Sequence, residues 1–263
     1  MRHYSLAALL AAFVLLPSLP AHAGDTYSLG VEGLYDNYKE PDPRIRVDTD
    51  TWYGSVTGNY THTANDWMMA LDGRASFGQA DYNSVSGSSD NSPQAEGEAR
   101  LRFGYHYRTD GGATIDPYIG GGIRMYYDHS QNVVTTLGYV GYDRQIAQVY
   151  IPVGVDMAFP AGDWTIKPTA EYDQLVYGKV NSKLSQVGPT YSDISNVQHD
   201  GYGLRGSLMF GHRWMGNTWE VGPFVRYWNI DQSSTNTDNF GRRWVEPDNE
   251  RYQVGAQIRV LFN

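Results

Sequence analysis

Glu96-Gly97-Glu98-Ala99-Arg100-Leu101-Arg102-Phe103 puts a charged side chain at every even position and a small or apolar one at every odd position. A period of two belongs to an extended strand, whose successive side chains point to opposite faces. The pattern recurs along the chain. Read at alternate positions, the stretches Tyr27 to Tyr35, Trp52 to Tyr60, Trp67 to Phe77, Gly97 to Tyr107, Ile115 to Tyr127, Ala147 to Phe159, Trp164 to Tyr172, Tyr202 to Trp214, Trp219 to Tyr227 and Tyr252 to Phe262 contain no Asp, Glu, Lys or Arg. The interleaved positions carry Asp72, Arg74, Glu96, Glu98, Arg100, Arg102, Arg124, Glu171, Arg205, Arg226 and Arg259, together with Glu32, Asp36, Asp116, Asp156, Asp173 and Glu220.

A soluble sheet also alternates, with its charges in water and its apolar face on a core, so alternation alone does not decide the fold. The strand ends do. Three short connections are followed at once by tryptophan, at Trp67, Trp164 and Trp219, while Tyr60, Tyr107, Phe159 and Trp214 approach the same end in the apolar register. The other end carries Trp52 and Tyr127 with Tyr35, Tyr172, Tyr202, Tyr227 and Tyr252. Two aromatic rims around a charge-free band match the two interfaces of a bilayer. The fold expected is an all-β, antiparallel, up-and-down transmembrane barrel of about ten strands, with the charged face inside. The rival is a soluble barrel with its apolar face inward around a ligand, in the manner of lipocalins, which leaves the sorted aromatics unexplained.

Connections alternate in length. Those near 61–66, 108–114, 160–163 and 215–218 are short, whereas 37–51, 79–95, 129–145, 174–200 and 229–250 read as long polar loops. Short turns on the periplasmic side and long loops outside are the habit of such barrels. At the chain's end, Tyr252, Val254, Ala256, Ile258, Val260 and Phe262 resemble the carboxy-terminal β-signal of Gram-negative outer-membrane proteins, with one extra residue, Asn263, after the aromatic. That resemblance implies insertion by the outer-membrane assembly machinery and a location in the cell outer membrane.

The amino terminus combines Arg2 and His3, the apolar run Leu6 to Leu16, Pro17 and Pro20, and Ala21-His22-Ala23. These are the parts of a secretory signal peptide, predicted to be cleaved after Ala23, which leaves residues 24–263 as one barrel domain. There is no cysteine, so neither disulfides nor thiolate metal sites exist. The net charge of −9 argues against nucleic acid, and the mean hydropathy of −0.50 suits a barrel, because only every second strand residue meets lipid.

Several motifs carry bland readings. Gly201-Tyr202-Gly203-Leu204-Arg205-Gly206 spells a dinucleotide pattern inside a strand, where no helix amino terminus exists to hold a phosphate. Gly120-Gly121-Gly122 reads as a bend, or as space for a large side chain crossing the lumen. Asp128-His129-Ser130 and His199-Asp200 fall at the loop rim, where omptin proteases keep acid and histidine groups, yet the paired Asp residues of omptins have no match. His106 and His212 lack metal-ligand partners at diagnostic spacing. No enzyme activity, cofactor or metal is therefore expected, with a rim hydrolase acting on peptides or lipid A through Asp128-His129 and His199-Asp200 as the alternative. Loop cations Arg44, Arg46, Lys179, Lys183, Arg242 and Arg243 are candidates for lipopolysaccharide phosphates. Functionally the lumen reads as either filled by paired charges or as a narrow pore for small polar solutes, with outer-membrane lipids around it and a surface partner at the loops.

Overall fold

The computed structural model describes residues 24–262, so the expected signal peptide and Asn263 lie outside the described residues. Ten long strands make the body: β1 (Asp25–Glu40), β2 (Val47–Ala64), β3 (Trp67–Ser84), β4 (Gly87–Tyr105), β5 (Thr114–Asp128), β6 (Arg144–Ala161), β7 (Trp164–Ser182), β8 (Gly201–Trp214), β9 (Asn217–Ile230) and β10 (Asn249–Phe262). Each pairs antiparallel with its sequence neighbour, and β10 returns to β1, setting Leu29 opposite Val260 and Tyr35 opposite Val254. The sheet is a closed barrel without a free edge. No helix among the described residues is long and apolar enough to cross a membrane.

Two-residue turns join strands at one end. Asn65 and Asp66 both have positive φ, 48° and 66°, as do Met215 and Gly216 at 50° and 84°. Such turns carry the right-handed twist that a hairpin requires, and Asn, Asp and Gly tolerate it best. The apolar register faces outward: Leu101, Ile123 and Val153 are 40%, 37% and 48% exposed. That overturns the lipocalin-like alternative, in which the same residues would be buried.

The aromatic rims are real belts. At the turn end Trp67 packs edge-on against Tyr105, while Trp214 meets Trp219 and Trp164 meets His212 at tilted angles. Tyr60, Tyr107, Phe159 and Phe262 fall at the same level, Tyr60 beside Tyr27. At the loop end Trp52 meets Tyr35, and Tyr202 contacts both Tyr172 and Tyr227. Trp52 pairs with Gln79, twelve residues along β3 from Trp67. At about 3.3 Å per residue and a tilt of about 40° the belts stand about 30 Å apart, the thickness of a bilayer's hydrocarbon core.

The long connections differ from the sequence reading. β1 continues to Glu40 and β2 starts at Val47, while β3 and β4 meet in a tight hairpin at Val85-Ser86, so most of 37–51 and 79–95 is strand. Asp48, Asp50, Asn83 and Ser88 put polar side chains on the register that carries Trp52, which erases the alternation while the backbone ladder continues. Beyond the outer belt both faces meet water, so no side-chain pattern is required there. In the segment read as loop 174–200, Ile194–Gln198 adds a short strand along β7. A register irregularity near Val176 flips the alternation there and turns Val180 inward.

Candidate functional site: the charged lumen

The lumen is organised by β4. Glu96, Glu98, Arg100 and Arg102 climb one face at about 7 Å intervals, and the barrel register sets counter-charges beside them. Asp72 stands opposite Arg100 and Arg74 opposite Glu98 on β3, while Glu171 stands opposite Arg205 across β7 and β8. Opposite charges on facing positions support a sheet.

In the middle tier four arginines each hold two or more carboxylates. Arg205 bonds Glu98 at 2.5 Å, Asp173 at 2.6 Å and Glu171 at 3.1 Å; Arg100 bonds Glu171 at 2.6 Å and Asp72 at 3.4 Å. Arg74 reaches Glu96 at 2.7 Å and Glu98 at 3.3 Å, and Arg102 reaches Asp72 and Asp156, both at 2.7 Å. Arg226 faces Arg205 in register and turns away to Glu32 at 2.7 Å. Arg124 donates to the Gln148 amide oxygen at 2.6 Å and lies over the Trp228 ring. Arg259 joins Lys167 on Glu220. All eleven lumen residues named from sequence thus lie inside: Asp72, Arg74, Glu96, Glu98, Arg100, Arg102, Glu171 and Arg205 share one network of ion pairs, Arg226 and Arg259 belong to separate pairs, and Arg124 is held by Gln148. Removing one partner from such a buried pair strands the other, at about 3–5 kcal/mol.

The sequence reading missed the aromatic plug and one arginine. Tyr150 donates to Glu98 at 2.5 Å and packs edge-on to Trp228, with ring centres 5.2 Å apart, and Tyr118 donates to Glu171 at 2.6 Å. Arg251 bonds Asp36 at 2.6 Å and stacks on Tyr126. Each crossing ring sits opposite a glycine in register: Tyr150 over Gly122, Tyr118 over Gly154 and Trp228 over Gly203. A Cβ on Gly122 would lie 2.2 Å from the Tyr150 ring, and one on Gly203 would lie 2.9 Å from Trp228. Gly122 belongs to the run Gly120-Gly121-Gly122 read from sequence as room for a crossing side chain, and Gly154 and Gly203 are further cases of a lumen-facing Gly beside a lumen-facing aromatic. Tyr150, Leu175, Trp228 and Ile230 form one buried cluster, and Leu34, Tyr53 and Phe224 another.

The turn-end half is different. A cavity of about 560 Å³ extends from the middle tier to the rim near Thr63, Ala158 and Thr165. Its walls include Arg102, His106, Asp116, Asp156, Lys167 and Arg259. His106 Nδ1 lies 2.8 Å from Asp116, a pair that sequence spacing did not suggest.

At the loop end the rim groups do not assemble. The Asp128 carboxylate accepts from Ser130 at 2.6 Å, His129 contacts Asp143 at 3.0 Å, and the His199 ring packs against Tyr177. Asp143 also accepts from Tyr127 at 3.2 Å and from the Gln186 amide at 3.1 Å. The loops knit together. Ser233 and Glu246 exchange bonds at 2.8 and 2.9 Å, Asn196 donates to the Trp244 carbonyl at 3.2 Å, and Thr136 donates to the Ser88 carbonyl at 2.9 Å. Beneath them Arg144 is shared between Glu40, at 3.4 Å, and Glu246. Of the loop cations, Arg44, Lys183 and Arg242 already face Asp42, Asp193 and Asp238.

Comparison with solved structures returns outer-membrane barrels. The outer membrane protease OmpT from Escherichia coli aligns with a TM-score of 0.65 at 10% identity, over 93% of this chain and 99% of that one. The translocator domain of autotransporter NalP from Neisseria meningitidis aligns with a TM-score of 0.39 at 12% identity, over 95% and 93%. The toluene transporter TodX from Pseudomonas putida aligns with 0.37 at 9%, over 92% and 90%. No protein-family model matches, and no curated protein matches. At 10% identity the OmpT likeness speaks for the fold alone. A closed ten-strand sheet, apolar outside and charged inside, together with that likeness, gives this chain the fold of the outer-membrane β-barrels.

Proposed function

We propose that this barrel is closed to solutes, has no catalytic role, and uses its outer head to bind a surface partner. The observation that carries the reading is the middle layer of the lumen. Tyr150, Trp228, Glu98 and Arg74 are buried there, with their charges satisfied across the lumen. The head supplies the contact surface. Val85, Val134, Leu137, Tyr139 and Phe240 are exposed beyond the outer belt, where lipid does not reach. The tip of the β3–β4 hairpin and the 134–140 segment are held together by Thr135 donating to the Ser86 carbonyl at 2.6 Å. Apolar side chains gathered on a hydrogen-bonded loop surface suit an interaction site.

In this reading outer-membrane lipids surround the apolar band, and the assembly machinery engages the strand Tyr252 to Phe262. The local pairing of Arg44, Lys183 and Arg242 weighs against a lipopolysaccharide clamp built from them. The separation of the Asp128-His129 and His199-Asp200 groups weighs against a rim hydrolase. A deletion of 178–199 is a poor test, since it removes the strand pairing of Gly178 to Ser182 with Ile194 to Gln198. The better test replaces Leu137 and Tyr139 with Ser. Cells displaying the protein are compared with this variant for attachment to one another, to a hydrophobic surface and to an epithelial monolayer. Attachment lost at equal surface display supports the proposal; attachment unchanged, or absent in the wild type, contradicts it.

The turn-end cavity favours a second reading, a narrow channel for small polar solutes. That reading needs a path past Tyr150 and Trp228.

A further inference from the structure

We propose that the turn end of the lumen binds a small, freely diffusing oxyanion of carboxylate or phosphate type, held between Lys167 and Arg259. Three observations converge there. The first is the count of counter-charges. Arg100, Arg102 and Arg251 each contact two carboxylates and Arg205 contacts three, whereas Lys167 and Arg259 share only Glu220. Arg259 engages through Nε, at 2.5 Å, and its two terminal nitrogens have no partner among the described residues. Among the described residues the Lys167 ammonium donates to the same carboxylate and to no other.

The second is convergence. Lys167 lies on β7 and Arg259 on β10, with Glu220 on β9 between them. Gly211 is the residue of β8 beside Glu220, so no side chain intervenes at that level. Each cation grips a different oxygen of one carboxylate, Lys167 on Oε1 and Arg259 on Oε2. Their remaining donors are therefore close enough to be bridged by a second oxyanion of similar span, for which guanidinium and ammonium groups are suited.

The third is access. Both side chains line the 560 Å³ cavity and are 28% exposed, while the Glu220 side chain is fully buried. Two acidic groups of the wall, Asp156 on the neighbouring strand β6 and Asp116 on β5, lie on the Lys167 side and are engaged by Arg102 and His106. Within the cluster itself the two cations exceed the one carboxylate by a charge, which favours an anion at Lys167 and Arg259. Arg213, on the lumen-facing register of β8 near the rim, adds a cation at the entrance.

The test is calorimetric titration of the refolded full chain in an uncharged detergent at low salt, with inorganic phosphate and acetate as separate probes. Saturable binding of either is expected. Lys167→Met and Arg259→Gln should each weaken it about tenfold, and Glu220→Gln, which releases both cations, should strengthen it. Heat-modifiable gel mobility checks folding, and if Arg259→Gln does not fold, the other two variants decide. Absence of saturable binding overturns the proposal, as does equal affinity in Lys167→Met or weaker binding in Glu220→Gln. Surface attachment by the head does not depend on these residues, so the two proposals fail separately.

Discussion

The two halves of the lumen use the same residue types to opposite ends. At the middle and toward the loops, Arg205, Arg74 and Arg251 are each nearly buried and held by two or more carboxylates, Arg205 and Arg251 also against aromatic rings. Toward the turns, Lys167 and Arg259 share one carboxylate beside open space. The difference follows from solvation. A buried ion must be paired because water cannot reach it, whereas an ion on a wet wall keeps spare donors at little cost. Which half a lumen charge occupies thus decides whether it holds the barrel together or remains available to a ligand.

The largest expected effect tests the dry half. Glu98→Ala leaves Arg205, Arg74 and Tyr150 without their shared acceptor, and should cost about 3–5 kcal/mol in denaturant unfolding monitored by tryptophan fluorescence. Trp228→Ala removes the ring that fills the space over Gly203 and supports Arg124, and should cost a similar amount, about 3–5 kcal/mol. A loss under 1 kcal/mol in either would mean that the middle tier is already hydrated.

A pH experiment probes the top of that half. Burial pushes the Glu246 carboxyl up to about 7, Arg144 opposes the shift, and Glu40, sharing the same arginine, adds to it. A carboxyl with a raised folded-state value binds its proton more tightly in the native head. Its stabilising contribution is complete below the ordinary value near 4.5 and fades as pH rises through about 7. Hydrogen exchange at the 231–248 loop should therefore quicken between pH 5 and 8 beyond its intrinsic rate, and Glu246→Gln should abolish that excess. An excess that persists in the variant would assign it to another group.

The smallest effect belongs to the wet half: Lys167→Met should change stability by no more than about 1 kcal/mol in the same unfolding assay. A loss as large as that of Glu98→Ala would erase the contrast between the two halves.

Much of this was legible in the chain because hydrocarbon tolerates no charge. Leu101, Ile123 and Val153 on one register and Glu98, Arg100 and Arg124 on the other assign the two faces without coordinates. The lumen charges could be named as a set but not paired, since pairing such as Arg205 with Glu98 reaches across the barrel and depends on closure. Arg251 escaped because it precedes Tyr252, where the outward apolar register begins. Tyr150 and Trp228 escaped because an aromatic on the polar register breaks no rule that a membrane imposes; the run Gly120-Gly121-Gly122 offered room for a crossing side chain, but which ring fills it depends on how the strands align. The strand extensions toward Glu40 and Ser84 were hidden for a related reason, since beyond the outer belt nothing enforces alternation.

Planar-bilayer recording tests the central claim most directly. The refolded wild-type chain should insert without steady current steps, and a Tyr150→Ala, Trp228→Ala double variant should conduct. Stable steps from the wild type, unaltered by that pair of substitutions, would contradict a lumen sealed at its middle.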